Sequence, residues 1–495
     1  MQPQIIFYNP QSSAARKPVL PCSLLAVGAV LEGKYEYIIT DGNLEDSPLE
    51  TLDRLIQQGG EQPVLAVTVM PGPQLQQAVP LCRELKRRHA HLLVVWGGYF
   101  PTQHWDVVLR AEFVDFVVRG HGEMVFLQLL GELEQGGKNL ATIPGLAYKD
   151  EAGQPVTNLM APIPRPQQLP LFNFDRVPVE RYLRKTFMGS RTLGYHSSYG
   201  CPFFCNFCAV VNMVNGKWYP QTAAQVAEVM HQYVNRWRVN AVEFYDNNFF
   251  VHQERVAEFS ERIMPLQLAW WGEGRIDTML KFEDATWRLM RDAGLKMVFL
   301  GAESGSAETL KRMDKGGTLT PEKTLTLARV MKQWDIVPEM SFVMGNPPEP
   351  EKDLADTIEF IRQVKKVNPA TEIIMYLYTP VPMEGELYEE AKADGFAFPE
   401  TLEAWLDPAW LSFTQRRSTQ MPWIKRTLQQ QIYDFERVIN AYYPTSTDIK
   451  LTGLRRQLLR LASSWRYHTR FYHFPVELRA MHKLIAYQRP ETSGF

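Results

Sequence analysis

Three cysteines lie close together near the middle of the chain, in the segment Gly200-Cys-Pro-Phe-Phe-Cys-Asn-Phe-Cys208. Their spacing is C-x3-C-x2-C, whereas the two other cysteines, Cys22 and Cys82, stand alone. Three thiolates on one short loop can bind three irons of a four-iron cubane and leave the fourth iron open to a substrate or cofactor. The spacing therefore predicts an oxygen-sensitive 4Fe-4S cluster on the three clustered cysteines, Cys201, Cys205 and Cys208.

A structural zinc site is the alternative interpretation of the same cysteines. Structural zinc takes four ligands, and His196 or His231 would then complete the set. Five cysteines in 495 residues are too few for a disulfide framework.

Strand and helix patterns alternate after the cysteine motif, as they do in an α/β barrel. Thr222 and Gln225 form a predicted capping box that opens a helix to about residue 237, and further helices are predicted over 284–293 and 321–334. The six strand-like runs are 192–197, 241–246, 268–274, 297–302, 340–344 and 372–378. Six such strands predict a partial (β/α)6 barrel, and ligands of such barrels bind at the carboxyl ends of the strands.

The cysteine motif resembles the signature of the radical S-adenosylmethionine (radical SAM) superfamily, in which an aromatic residue precedes the last cysteine. Phe207 fills that place. The resemblance implies that the open iron binds the amino and carboxylate groups of S-adenosylmethionine, with Phe207 among the residues around that cofactor. Reductive cleavage would then give methionine and a 5′-deoxyadenosyl radical.

The same resemblance assigns roles to residues at the ends of the barrel strands. Asp246 and Asn247 are expected to contact the methionyl amino group, Glu303 and Arg275 the ribose or carboxylate, and Gly345 the adenine. The family often has Gly-Gly-Glu at the end of the second strand, where this chain has Asp-Asn-Asn.

A second α/β repeat precedes the barrel and predicts a doubly wound parallel sheet. Its five strand-like runs are 4–8, 35–39, 64–69, 92–96 and 113–118. The runs end in glycine-rich segments, and glycine lets a bulky ligand approach the backbone. The order of these segments resembles the cobalamin-binding domain of one large radical SAM class, through Pro71-Gly-Pro-Gln74, Trp96-Gly-Gly98 and Gly120-His-Gly-Glu123.

The cobalamin resemblance implies a set of contact residues at these strand ends. They are Asn9, Met70, Pro71, Gln74, Gly97, Gly98, Tyr99, Gly120, Gly122 and Glu123. A common signature of such domains, Asp-x-His-x-x-Gly, is absent, so base-off cobalamin is expected, with the loop 70–74 facing the lower side of cobalt. A domain that binds no cobalamin is the alternative.

Four regions follow from these patterns. They are a cobalamin-binding domain over 1–150, a linker over 151–185, the radical SAM barrel over 186–398 and an α-helical C-terminal domain over 399–495. The linker contains Pro162, Pro164, Pro166 and Pro170, which favour extended chain.

The segment 451–495 is basic and aromatic, with eight Arg or Lys residues against two Glu, a net charge of +6. A helix with one buried and one solvated face explains this pattern, and a docking surface for an anionic partner, such as an electron-transfer protein or a membrane surface, is the alternative. No nucleic-acid-binding module is recognised, and nucleic acid is not expected as a partner.

Composition limits the class of protein. The net charge of −2 provides no global basic field, and 45% apolar with 22% charged residues is typical of a soluble globular chain. The longest apolar run, 20–31, is shorter than the ~20 residues of a membrane-spanning helix. Residues 1–4 carry no positive charge before the short apolar run 5–7, which is not the pattern of a secretory signal, so a cytoplasmic location is expected.

These features together predict a cobalamin-dependent radical SAM enzyme, with methylation of an unactivated carbon as the leading hypothesis for its reaction. A cyclase or rearrangement enzyme with the same cofactors is one alternative, and a zinc-stabilised regulatory protein without enzymatic activity is another. A flavodoxin- or ferredoxin-type electron donor is the expected protein partner. The substrate classes left open are a small metabolite, a lipid and a tetrapyrrole.

Overall fold

A seven-stranded sheet forms the N-terminal part of this computed structural model, which describes residues 4–12, 18–59, 62–313, 318–382, 386–416, 421–448 and 451–485. The strands are β1 (Ile5–Asn9), β2 (Tyr37–Asp41), β3 (Val64–Thr68), β4 (Leu93–Gly97), β5 (Phe116–Val118), β6 (Leu146–Lys149) and β7 (Pro155–Thr157). Their order is β2-β1-β3-β4-β5-β6-β7, in which the first five are parallel and β6 and β7 are antiparallel. The predicted parallel sheet is confirmed, and the β6-β7 hairpin extends one edge of it.

Helices cover both faces of this sheet. They are α1 (Cys22–Leu31), α2 (Pro48–Gln58), α3 (Pro73–Arg88), α4 (Tyr99–Gln103), α5 (Trp105–Leu109) and α6 (Gly122–Glu134). Ile5 and Phe7 pack with side chains of α1 and α6, whereas Ile6 and Tyr8 pack with side chains of α2 and α3. Burial on both faces explains why the strands read as continuous apolar runs.

A second sheet, of six parallel strands, forms the predicted partial barrel. The strands of the central region are β8 (Thr192–Tyr195), β9 (Ser198–Gly200), β10 (Trp218–Pro220), β11 (Ala241–Phe244), β12 (Ala269–Gly274), β13 (Leu295–Glu303), β14 (Val337–Met344) and β15 (Glu372–Leu377). The barrel order is β8-β11-β12-β13-β14-β15, and β9 and β10 form a separate antiparallel pair beside it. The α/β fold class is thereby confirmed.

Helices alternate with the barrel strands. They are α7 (Val210–Val214), α8 (Ala223–Trp237), α9 (Gln253–Ile263), α10 (Ile276–Met279), α11 (Asp284–Asp292), α12 (Ala307–Arg312), α13 (Pro321–Gln333), α14 (Pro350–Val367) and α15 (Glu386–Ala393). The capping box that opens α8 is present: the Gln225 amide donates to Thr222 Oγ1 at 3.2 Å, and the Thr222 amide donates to Gln225 Oε1 at 3.0 Å. This reciprocal pair satisfies two amides at the start of the helix.

The C-terminal region is helical, as predicted. Its helices are α16 (Leu402–Trp405), α17 (Pro408–Thr414), α18 (Arg426–Tyr442), α19 (Gly453–Thr469) and α20 (Val476–Leu484). Trp405 packs edge-on against Phe100 in the core of the N-terminal sheet, with ring centroids 5.1 Å apart, whereas Ile432 and Phe435 of α18 belong to the core of the barrel. This region therefore buries apolar surface on both preceding domains.

The segment between the two sheets is anchored to the N-terminal sheet. Arg176 donates two hydrogen bonds to the Glu32 carboxylate, at 2.9 and 2.7 Å, and the Tyr182 hydroxyl donates to Asp41 at 3.0 Å. The β7 strand lies inside the segment that the sequence predicts as linker, because three residues are too short to give an alternating pattern. Within the described ranges, no helix has the length and apolar composition needed to cross a bilayer.

Candidate active site

The cysteine loop begins directly after β9. Gly200 has a φ of +84°, and a Cβ atom there would come within 2.2 Å of the Lys217 carbonyl oxygen, so only glycine fits before Cys201. Cys205 is buried, and Cys201 and Cys208 are partly buried. Burial raises the pKa of the Cys208 thiol to about 12, and negative charge on the other two cysteines acts in the same direction. The three thiols therefore lie close together in one partly dehydrated loop.

This donor set fits a cluster with one open iron, because it supplies three sulfur ligands from one loop. His231, an alternative fourth ligand for zinc, lies on the exposed side of α8 beside Glu261, and the His196 ring is 5.9 Å from the Tyr245 ring. The zinc interpretation gains no support from these contacts.

Arg275, at the end of β12, is held on three sides. Its Nε and Nη2 atoms donate to the Asp277 carboxylate at 3.0 and 2.9 Å, and its guanidinium lies 3.8 Å from the centroid of the Phe203 ring. Nη1 donates to Cys205 Sγ at 3.3 Å. A guanidinium at this distance stabilises thiolate charge. The structure thus brings Arg275 to the cysteine loop, and its predicted contact with S-adenosylmethionine stays a prediction.

Asp246 is fully buried at the end of β11 and is bound by protein donors. It accepts hydrogen bonds from the Ser197 amide at 3.0 Å, from Ser197 Oγ at 2.8 Å and from the Ser198 hydroxyl. These bonds fix the turn between β8 and β9, immediately before the cysteine loop. The observed contacts of Asp246 therefore position the loop.

The two asparagines after Asp246 differ sharply in environment. Asn247 is exposed, whereas Asn248 is fully buried. Neither the Oδ1 nor the Nδ2 atom of Asn248 has a hydrogen-bond partner in the described part of the chain. A buried amide without partners is costly unless a ligand or water satisfies it. Asn248, which the sequence analysis passed over, is thus a stronger candidate for ligand contact than Asn247.

The last two predicted strand-end residues both have left-handed backbone. Glu303 is buried with a φ of +63°, and Gly345 has a φ of +78°. A Cβ atom at Gly345 would lie 2.7 Å from Ile424, and the Gly345 carbonyl accepts a hydrogen bond of 3.0 Å from Trp423 Nε1.

Phe207 packs against a small apolar cluster next to the segment that contains Trp423 and Ile424. That cluster consists of Met313, Val343, Tyr378 and Leu387, with Trp423 beside them. The segment around Trp423 thus covers this side of the barrel mouth, a contact that no local sequence pattern could indicate.

Two glutamates inside the barrel, the partly buried Glu273 and the buried Glu339, were given no role by the sequence analysis. Glu273 on β12 and Glu339 on β14 lie in one row across the sheet, separated by Phe299 on β13. Burial raises the pKa of Glu273 to about 8 and that of Glu339 to about 7, although a hydrogen bond of 2.9 Å from Trp271 Nε1 to Glu339 opposes the second shift. Their signal in the sequence is a charged residue at an alternate position within an apolar strand.

The predicted cobalamin loop is tied to the end of β1. Gln74 is buried and donates through Nε2 to Asn9 Oδ1 at 2.9 Å and to the Pro10 carbonyl at 3.0 Å. Its Oε1 atom accepts from the Met70 amide at 2.8 Å. Asn9 and Gln74 therefore shape the loop, whereas the Met70 side chain is 47% exposed and Pro71, next to it, is half-buried.

The two glycines after β4 have different constraints. Gly98 has a φ of +99°, and a Cβ atom there would lie 3.0 Å from the Val69 amide, so the fold itself requires glycine. At Gly97 the nearest atom to such a Cβ is the Val118 carbonyl oxygen at 3.7 Å, an ordinary contact. A side chain at Gly97 would thus be tolerated by the backbone and would project from the strand end. This open backbone fits a site for a bulky cofactor.

Tyr99 follows these glycines and reaches the cysteine loop. Burial raises its pKa to about 12, and its hydroxyl interacts electrostatically with Arg416 and Cys208. A residue predicted for cobalamin is therefore near enough to a residue predicted for the cluster to interact with it electrostatically.

The end of β5 also meets the cysteine region. Glu123 Oε1 accepts a hydrogen bond of 2.5 Å from the Tyr199 hydroxyl, and the His121 ring stacks on the Tyr199 ring with centroids 4.3 Å apart. Glu123 Oε2 is buried without a partner in the described structure. The amide of Gly120, with a φ of +75°, donates to Thr102 Oγ1 at 2.9 Å, and Gly122 packs beside Val27.

A cavity of about 270 Å³ lies where the two sheets meet. It is lined by Thr102, Gln103, Arg119, Met160, Asn212 and Pro382. Asn212 Nδ2 bridges the domains by donating to Gln103 Oε1 at 3.1 Å and to the Pro382 carbonyl at 2.7 Å. The ligand-binding edges of both sheets thus face a common space.

Two protein-family models match the chain. The model of the B12 binding domain matches residues 14–130, and that of the radical SAM superfamily matches residues 195–361. The radical SAM match implies a 4Fe-4S cluster and S-adenosylmethionine, and the B12-binding match implies cobalamin.

Similar proteins include one named as a methyltransferase and one named as a cyclase, the two enzyme classes that the sequence analysis left open. An uncharacterised methyltransferase from Pyrococcus horikoshii is 24% identical over 372 residues, 73% of this chain and 78% of that protein. An anaerobic magnesium-protoporphyrin IX monomethyl ester cyclase from Synechocystis is 25% identical over 390 residues, 76% of this chain and 74% of that protein.

A solved structure shares the fold. The radical S-adenosylmethionine methyltransferase TsrM from Kitasatospora setae, with cobalamin and a 4Fe-4S cluster bound, superposes with a TM-score of 0.62 at 18% identity. The superposition covers 80% of this chain and 75% of that chain.

Proposed function

We propose that this chain, which carries a B12-binding domain ahead of a radical SAM domain, is a cobalamin-dependent radical SAM enzyme that methylates an unactivated carbon. The observation that carries the proposal is the meeting of the two ligand-binding edges. Gln103 of α4, the helix after β4, donates to the Ala209 carbonyl next to Cys208 at 3.4 Å, and Glu123 accepts from Tyr199, two residues before Cys201. Such a meeting would let one substrate face both cofactors.

Cys201, Cys205 and Cys208 would hold three irons of the cluster. When bound, the cluster would supply the electron that cleaves S-adenosylmethionine, and cobalamin would carry the methyl group. Arg275 donates to Cys205 Sγ and is itself held by Asp277, so it would stabilise negative charge at this cysteine.

The residues proposed around S-adenosylmethionine are those at the strand ends and in the loop. They are Phe207, Asp246, Asn247, Arg275, Glu303 and Gly345, to which the buried, unpartnered amide of Asn248 is added. Asp246 would act by positioning the loop, because its carboxylate accepts from Ser197 and Ser198.

At the cobalamin edge, we propose that Gly97 provides the close approach of the corrin to the backbone and that the loop 70–74 faces the lower side of cobalt. Asn9 and Gln74 would hold that loop in shape. Glu123 would connect the corrinoid domain to the cysteine loop through Tyr199.

Cyclisation or rearrangement with the same cofactors is the second candidate. It is favoured by the similarity to the Synechocystis cyclase, which extends over 76% of this chain. The substrate would be a small metabolite, a lipid or a tetrapyrrole, and the electron would come from a flavodoxin- or ferredoxin-type protein.

Analysis of the nucleoside products under anaerobic turnover tests the choice between these reactions. Methyl transfer consumes one S-adenosylmethionine for hydrogen abstraction and another for methyl supply. It therefore yields 5′-deoxyadenosine and S-adenosylhomocysteine in comparable amounts, with a product heavier by one methylene. Cyclisation yields 5′-deoxyadenosine without matching S-adenosylhomocysteine, and that result with the true substrate would replace the first proposal with the second.

A further inference from the structure

The outer side of α19 carries a row of exposed apolar side chains. Leu454, Leu458, Leu461 and Trp465 follow each other at spacings of four, three and four residues, which place them on one face of the helix. Leu454 is 69% exposed, Leu461 72% and Trp465 50%. Monomeric soluble proteins rarely expose such a contiguous row of apolar side chains to solvent.

The row continues past the end of the helix. The Trp465 and Phe471 rings are stacked with centroids 6.0 Å apart, and Phe471 is half exposed. We define the four residues of the row and Phe471 as the α19 patch. The opposite face of α19 is already occupied, because Tyr467 stacks on Tyr442 of α18 and its carbonyl accepts from Arg362 of α14. The patch is therefore the face that packing leaves open.

Positive charge surrounds the patch. Residues 451–485 contain seven Arg or Lys side chains and one acidic residue, Glu477, in a chain whose net charge is −2. Two of the seven, Arg470 and Arg479, form ion pairs with Glu359 and Asp434 outside this segment. Arg455 and Arg460 are exposed on α19 and, within the described residues, form no ion pair, and Lys483 on α20 is exposed likewise. Glu477, by contrast, is bound by Arg466.

We propose that the α19 patch docks the protein onto the surface of an anionic lipid bilayer. A helix with leucines and tryptophan on one face and arginines beside them is the arrangement that binds in the headgroup region. A second copy of the chain would set the same positive surface against itself, and charge repulsion opposes that pairing. The acidic side chains of a protein partner would pair with the arginines. They would not bury the apolar side chains that are exposed along three turns of α19.

Flotation of the full-length protein with vesicles tests the proposal. The protein should float with phosphatidylcholine vesicles that contain about one part in three phosphatidylglycerol and much less with pure phosphatidylcholine, and added salt should weaken the binding. L461S/W465S should lower the bound fraction at fixed lipid by about tenfold or more. R455E/R460E should lower binding to the anionic vesicles only.

Matched controls separate the patch from general effects. L159S removes an apolar side chain that is 89% exposed outside the patch, and R54E reverses an exposed charge on α2, so neither should change flotation. Equal binding of wild type and patch variants would overturn the proposal. So would absence of flotation, whether the wild type sediments as a monomer or as a patch-dependent dimer.

Discussion

Gly97 lies at the cobalamin edge in a position where the fold tolerates a side chain but a closely bound cofactor would not. Its backbone has ordinary geometry, and the nearest contact of an added Cβ is 3.7 Å. We predict that Gly97→Leu abolishes cobalamin uptake, because the side chain fills the space beside the backbone, while the unfolding midpoint in urea changes little. Optical titration with cobalamin and urea denaturation check the two halves of this prediction.

Gly131→Leu is the matched control, since Gly131 on α6 has open space around its Cβ position. It should bind base-off cobalamin like wild type. Gly98→Leu, at a φ of +99°, should lower stability as well as binding. Normal cobalamin affinity in Gly97→Leu would contradict the assignment of this strand end.

Glu273 makes a pH-dependent contribution that opposes folding. Burial raises its pKa in the folded protein to about 8, above its ordinary value of 4.5, so the folded state binds more protons than the unfolded state between these values. Its contribution to stability is therefore present below about pH 4.5 and is lost progressively as the pH rises to about 8. Glu273→Gln should remove this loss.

Urea unfolding of the cofactor-free protein at a series of pH values measures the effect. The variant should gain about 1–3 kcal/mol of stability relative to wild type near pH 8, and the gain should shrink toward pH 5. A difference between variant and wild type that is constant across this range would contradict the raised pKa of the Glu273 carboxyl. Glu258→Gln, on the exposed side of α9, serves as a control.

At the scale of elements, the bond between β9 and the start of α6 connects the two domains. Tyr199→Phe removes the hydrogen bond to Glu123 and leaves both buried carboxylate oxygens without a partner. We predict a loss of about 1–3 kcal/mol in the free energy of unfolding. Glu123→Gln combined with Tyr199→Phe should cost less than the sum of the single changes, because the charge left unpaired is gone.

Strict additivity in this double-mutant cycle would mean that the two side chains do not interact. Cobalamin titration of Glu123→Gln gives an independent reading. Affinity close to that of wild type would support a positioning role for Glu123. Loss of binding would indicate that Glu123 contacts the corrin directly.

The regular elements were predictable because their patterns are local. All six barrel strands and the capping box of α8 follow from apolar runs and from residues three positions apart. The pairs β6-β7 and β9-β10 were missed, because β7, β9 and β10 each contain a proline or glycine and lie in no extended apolar run. Asp246 was correctly located at a strand end, but its partners Ser197 and Ser198 lie about fifty residues earlier and leave no signal in its own neighbourhood.

At the scale of the whole molecule, the sequence indicates two ligand-binding edges but not how they meet. Their meeting depends on contacts between distant residues, such as Asn212 with Gln103 and Tyr199 with Glu123. The cover over Gly345 by Trp423 and Ile424 is of the same kind. Such contacts arise from the packing of finished elements, and local periodicity cannot predict them.

From the cysteine loop and the corrinoid edge we infer that one chain holds a radical-generating cluster close to cobalamin. Anaerobic reconstitution with iron, sulfide and cobalamin, followed by S-adenosylmethionine and a reductant, tests it most directly. We predict about four irons and one cobalamin per chain, a cluster signal in electron paramagnetic resonance and release of 5′-deoxyadenosine. Changing Cys201, Cys205 or Cys208 to alanine should abolish 5′-deoxyadenosine and leave cobalamin binding intact. Stoichiometric zinc without iron, or 5′-deoxyadenosine that persists in the cysteine variants, would contradict the assignment of this site.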